Sequence, residues 1–217
     1  MKKGFSLSEV LITLGVIGAV SAITLPSVIN NIQEKQFHSK FKKAYAAFSQ
    51  AAQRIYAEDG EFTSYDYPMW ANYVCKLGNY MKITASGQNC GNKYKYVKWH
   101  KNGEWFDIKN NSPSIPNTDY YATNFTFITY DGTMYMLNCH NQVLVDVNGF
   151  KKPNKVGKDI YYFHLKSSTN MPFYPINSKV PDCQYDYISI TDSNYREDCK
   201  SGSGWGCSRM VINNELK

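Results

Sequence analysis

The chain is short of the patterns from which enzymes and metal proteins are built. Its four histidines, at 38, 100, 140 and 164, form no HExxH and no other paired spacing, and there is no GxSxG elbow, so hydrolase chemistry has no visible seat. Cys139 and His140 are adjacent in sequence, which does not make a nucleophile and its base. No CxxC pair occurs and no histidine stands at metal spacing from a cysteine, which argues against zinc. Gly202-Ser203-Gly204-Trp205-Gly206 lacks the GK[ST] of a phosphate loop and reads as a flexible turn. No enzyme and no cofactor is expected. Clustered Lys/Arg runs are missing too: the net charge of +6 falls to about +4 without Lys2 and Lys3, a poor footprint for nucleic acid. Aliphatics are scarce beyond residue 60, while the chain holds 18 Tyr, 11 Phe and 4 Trp. That balance predicts a thin, polar, loop-rich body, in a chain long enough for one or two domains.

What is present begins at the N-terminus. From Phe5 to Leu25 the only charge is Glu9, and a run of roughly 20 apolar residues rising about 1.5 Å each spans a bilayer as a helix. The expected span is about residues 7–28, with Lys2 and Lys3 holding the N-terminus in the cytoplasm and the rest outside. A cleaved signal peptide is the competing reading, with Val20-Ser21-Ala22 as a fair small-x-small site, but the run is long for one. Glu9 is the anomaly, because a carboxylate in hydrocarbon costs about 2.5–3.5 kcal/mol at a helix centre and somewhat less near an end.

The stretch Lys2-Lys3-Gly4-Phe5-Ser6-Leu7-Ser8-Glu9-Val10-Leu11-Ile12 resembles the leader and cleavage motif of the type IV pilin and type II secretion pseudopilin superfamily. A basic leader ending in Gly4, a following Phe5, a Glu fifth in the mature chain (Glu9) and a proline near the outer end of the span (Pro26) all match. The resemblance covers about the first 30 residues. It implies that a prepilin peptidase cuts after Gly4 and that the new amine of Phe5 is methylated. Glu9 would pair with that amine, in the same or a neighbouring subunit, and set filament register, since a buried charge is tolerated once paired. The implied partners are the peptidase, other pilin or pseudopilin subunits, an inner-membrane assembly platform and the bilayer. The implied location is the bacterial inner membrane, then a periplasmic or extracellular filament.

Beyond Pro26 the apolar pattern changes period. Val28, Ile29, Ile32, Phe37, Phe41, Tyr45, Phe48, Ala52 and Ile55 recur at three- and four-residue steps, which predicts an amphipathic continuation of the same helix to about Ala57, broken or kinked at Pro26 and stopped by Glu58-Asp59-Gly60. Gly15 and Gly18 offer small surfaces for helix–helix contact.

The body should then run over 58–217, after a leader at 1–4 and a helix at 5–57. Residues 124–130 and 133–138 alternate around Asp131-Gly132, a two-residue hairpin signal; 142–147 and 160–165 make a third and a fourth strand. The expected fold is α+β: a long N-terminal helix packed on one face of an antiparallel meander of about four strands, with an irregular connector at 60–122 and a disulfide-containing C-terminal region. This matches the pilin arrangement.

Six cysteines, at 75, 90, 139, 183, 199 and 207, read as disulfides in a chain that leaves the cytosol, with fifteen connectivities open and the local pairs Cys75–Cys90 and Cys199–Cys207 favoured. Asp146, Asn148 and Asp159 lie in an oxygen-rich stretch that could be a calcium loop, but the order does not fit an EF-hand and a plain turn-rich loop is preferred. Residues 94–101 mix tyrosine, tryptophan and lysine as a single-stranded DNA surface would, yet an edge strand guarded by lysines explains them better, and DNA is not an expected partner. Two rivals to the filament subunit stay open: a membrane-anchored binding module or adhesin that never polymerises, and a secreted enzyme behind a cleaved signal peptide.

Overall fold

The computed structural model describes residues 6–60, 67–101, 103–112, 125–138, 142–165, 173–174 and 193–216. Helix α1 (Leu7–Asp59) runs for 53 residues with Pro26 inside it, so the break expected there is absent. The ring still removes one backbone donor, but the flanking turns hold the helical path. The helix continues two residues past Ala57 and ends on Gly60, whose φ of +79° and N–H bond of 2.9 Å to the Tyr56 carbonyl make a left-handed cap. The chain divides into two units inside α1, at Gln36/Phe37, rather than at the helix C-terminus.

In the first unit the apolar side chains from Leu7 to Ile32 are exposed. Two hydroxyls in this stretch bond back to their own helix, Thr13 to the Val10 carbonyl and Thr24 to the Val20 carbonyl, both at 2.9 Å. Such back-bonding spares an apolar surrounding any unsatisfied polar group.

The second unit is a meander. Strands β1 (Ile83–Ser86), β2 (Thr126–Thr129), β3 (Met134–Asn138), β4 (Gln142–Asp146) and β5 (Ile160–Leu165) pair antiparallel in chain order, and the two-residue β6 (Phe173–Tyr174) extends the edge beyond β5. The sheet is therefore wider than the four expected strands, because ITAS at 83–86 is too short and polar to announce itself. The β2–β3 connection also differs from the expected two-residue turn. Thr129 pairs with Thr133, Gly132 N–H bonds to the Thr129 carbonyl at 2.9 Å, and Gly132 sits at φ +83°, a type I turn closed by a left-handed residue.

Side-chain alternation sends Phe127, Tyr135, Leu137, Val143, Val145, Tyr161 and Phe163 to one face of the sheet. There they meet the body half of α1: Phe41 stacks on Tyr161 at 4.3 Å between ring centroids, and Phe48 lies edge-on to Phe163 at 5.3 Å. Tyr135 carries its hydroxyl to the Ala44 carbonyl at 3.3 Å. A second helix, α2 (Tyr67–Tyr80), adds Tyr73, Val74 and Leu77 to the same core. Burying each such side chain contributes about 1.5–3 kcal/mol.

The opposite face is covered as well, which corrects the expectation of a thin body. Met134, Met136, Leu144, Ile160 and Tyr162 meet Trp99 and Trp105 from the connector and the C-terminal helices α3 (Tyr195–Ser201) and α4 (Cys207–Ile212). Residues 94–101 are not an edge strand: they pair with the sheet backbone at a single bridge, Ala85 to Lys95, and then bury Val97 and Trp99. Nor is 202–206 a flexible turn. Asp198 accepts from Ser203 N–H (2.7 Å), Ser203 Oγ (2.7 Å) and Gly206 N–H (2.8 Å), and a Cβ on Gly206 would collide with the Tyr195 carbonyl. Trp205, held by this corner, sits edge-on to Tyr162 and Trp105.

Candidate processing and assembly site

Ser6 and Glu9 open α1 with a reciprocal cap. Glu9 Oε2 accepts from Ser6 N–H at 2.8 Å and from Ser6 Oγ at 2.9 Å, while Glu9 N–H donates to Ser6 Oγ at 3.2 Å. This is the S-x-x-E capping box, in which serine and glutamate satisfy each other's backbone donors at the helix start. The pattern Ser6-Leu7-Ser8-Glu9 carried that signal in the sequence, but the reading above gave Glu9 only an electrostatic role. The box places the carboxylate at the first turn, one residue from Phe5 through its Ser6 contact. Gly4 and Phe5 lie outside the described residues.

Both local disulfides are formed, Cys75–Cys90 and Cys199–Cys207, and no described cysteine is free. The first ties α2 to the segment after β1; the second closes the Asp198 corner. Cys139, Cys183 and His140 lie outside the described residues.

The oxygen-rich stretch serves the loop between β4 and β5. Asp159 is fully buried and accepts from Asn154 N–H (2.9 Å) and Lys155 N–H (2.7 Å), so both its oxygens cap the loop. Burial raises its pKa above the usual carboxylate range, making it a weaker acid. Asp146, also fully buried, accepts from Asn148 N–H at 3.0 Å and faces His100 Nε2 at 2.8 Å. Desolvation pushes its pKa up to about 6 against the opposing hydrogen bond from His100, with the nearby charge of Asp159 adding to the rise. Asn148 reaches the Lys152 carbonyl with its side-chain amide at 3.2 Å. These groups hold a loop, and among the described residues no group of three or more His, Cys, Asp or Glu side chains is arranged to hold a metal. His100 and Asp146 are 46 residues apart, and no sequence pattern joined them. Elsewhere, His164 on β5 is buried, which lowers its pKa to about 4.

No family model, no curated protein and no solved structure matches the chain. The described residues hold one helix long and apolar enough to cross a membrane, near the N-terminus, an antiparallel sheet and two disulfides.

Proposed function

We propose that the chain is a prepilin-like subunit of a type IV pilus or type II secretion filament, cut after Gly4 and held in the inner membrane by residues 7–28 until assembly. The observation that carries this reading is the coincidence of the GFSLSE motif with the start of a 53-residue helix whose first half is apolar on every side. In this reading the peptidase and the assembly platform act on the first turn, the apolar half packs with other subunits, and the sheet faces outward. Cleavage frees the amine of Phe5 beside a carboxylate already placed at the first turn. Glu9 then exchanges or shares its Ser6 contacts with that amine.

A membrane-anchored binding module that never polymerises is the second reading. The capping box favours it, because it gives Glu9 a purely local task. Filaments formed by the wild-type chain separate the two, and replacing Glu9 by Gln then tests the registry role. A filament subunit retains membrane insertion and leader removal but loses filaments, scored by electron microscopy and shear-fraction immunoblot, because an amide can cap the helix and cannot pair with the amine as a charge. Filaments at wild-type abundance from Glu9→Gln would remove the registry role.

A further inference from the structure

Outside α1, the described residues expose three large apolar side chains: Tyr96, Tyr130 and Phe150. Two of them belong to one end of the sheet. Tyr130 tops the β2–β3 turn and is 81% exposed; Phe150 stands in the β4–β5 loop and is 56% exposed. The two loops abut, since a Cβ on Gly149 would lie 2.9 Å from the Gly132 carbonyl oxygen. Tyr130 N–H also bonds to the Lys82 carbonyl at 2.8 Å, which brings the start of β1 to the same end.

This is the end at which the chain enters the body. The body begins at Phe37. Just beyond, Phe41 stacks on Tyr161, whose hydroxyl bonds to the Lys158 carbonyl in the β4–β5 loop, and Lys43 pairs with Asp131 in the β2–β3 turn at 3.2 Å. Along the sequence, only residues 29–36 separate this body from the apolar stretch at 7–28.

The charge here is one-sided. Lys82, Lys151, Lys152 and Lys158 are exposed, whereas Asp146 and Asp159 of the same loops are buried, and Asp131, itself exposed, is matched by Lys43. Exposed aromatic rings flanked by lysines are the composition that seats at the head-group level of a bilayer, the rings entering the interface and the ammonium groups meeting lipid phosphates.

We propose that this end of the body, centred on Tyr130 and Phe150, docks on the anionic head groups of the bilayer that holds α1. The proposal rests on the membrane-span reading above. Such a contact would hold the body down on the membrane before assembly and would have to be released when the subunit is extracted. Each lysine that reaches an anionic surface is worth about a fivefold gain in affinity.

The test uses the full-length chain in lipid nanodiscs, either all phosphatidylcholine or containing phosphatidylglycerol, with lysine acylation by a water-soluble ester read residue by residue by mass spectrometry. Lys82, Lys151, Lys152 and Lys158 should be protected several-fold in the anionic discs relative to the neutral ones, because the lipid charge draws this end of the body onto the surface. Lys93, Lys95 and Lys200, which are exposed elsewhere, should react equally in both. The double variant Y130S/F150S should lose the protection while staying folded, with a melting temperature lowered only by the loss of the edge-on Phe150–His100 contact. Flotation of the chain with the discs and equal reactivity of all these lysines would overturn this proposal alone. Failure to float with the discs would overturn the span and this proposal together. Protection that follows protein density rather than lipid charge, or that an oligothymidylate reproduces without lipid, would give the surface to a second copy or to nucleic acid and overturn the lipid assignment.

Discussion

The two faces of the sheet are both closed, but by different means. One face is covered by regular helices, with Phe41, Phe48 and Ile55 of α1 and Val74 and Leu77 of α2 set at helical spacing. The other is covered by pieces with no common period: Trp99 and Trp105 from a connector, Trp205 in a glycine-rich corner, and two helices of six and seven residues. Short helices are not stable alone, so the second face is held by specific ties: the Cys199–Cys207 bond, the three hydrogen bonds to Asp198, and the buried His100–Asp146 contact. A body poor in aliphatic residues thus makes two cores, one by periodicity and one by large aromatic side chains tied down individually.

The comparison can be broken by removing one anchor from each face. Phe48→Ala and Trp105→Ala should each cost about 3–5 kcal/mol in urea unfolding, since both side chains are fully buried. A cost below about 1 kcal/mol for Trp105→Ala would mean that the loop-covered face is a loose cover rather than a core.

Acidity distinguishes two buried groups whose effects oppose each other. Asp146 has its pKa raised to about 6, so the folded state holds that proton more tightly than the unfolded state; its contribution is present below the ordinary value of 3.8 and is lost as pH rises through 6. His164 is lowered to about 4 from 6.5; its contribution is present above 6.5 and is lost as pH falls through 4. Each is worth on the order of 3 kcal/mol across its window, and together they should leave stability nearly flat between. Asp146→Asn, which can still accept from His100, should expose a loss of stability on acidification. His164→Gln should expose the opposite slope. Parallel pH profiles for both variants and wild type, read by urea midpoints, would show that neither group is shifted as described.

Smaller effects sharpen the contrast further. Cys199→Ser with Cys207→Ser opens a loop of eight-residue separation and should cost about 2.5 kcal/mol, with faster amide exchange at 195–212 and little change at 37–55. Uniform acceleration over both faces would show that the bond stabilises the body as a whole. The least effect is expected from Lys43→Ala, whose ion pair with Asp131 is largely exposed and should be worth under about 1 kcal/mol.

The same division governs what could be read from the sequence. The body half of α1, its Gly60 stop and strand β5 were legible because a repeat or a cap residue encodes each one locally. The hairpin was legible as a hairpin, but its turn was misjudged by one residue, since Asp131-Gly132 serves a two-residue and a three-residue turn equally well. Strand β1 and the aromatic cover of the second face were not legible. Their residues take their places from contacts made far along the chain, as His100 does with Asp146. At the first turn the motif named Glu9 as important, and the S-x-x-E spacing also encoded the Ser6 contact that holds it, although the charge drew the reading to electrostatics.

The filament reading stands on the chemistry of one bond, between Gly4 and Phe5. Intact mass and N-terminal sequencing of the protein recovered from its native envelope test it most directly. A chain that begins at N-methylated Phe5 is the expected result, and one that begins near Ile23, or at an uncut Met1, would contradict it.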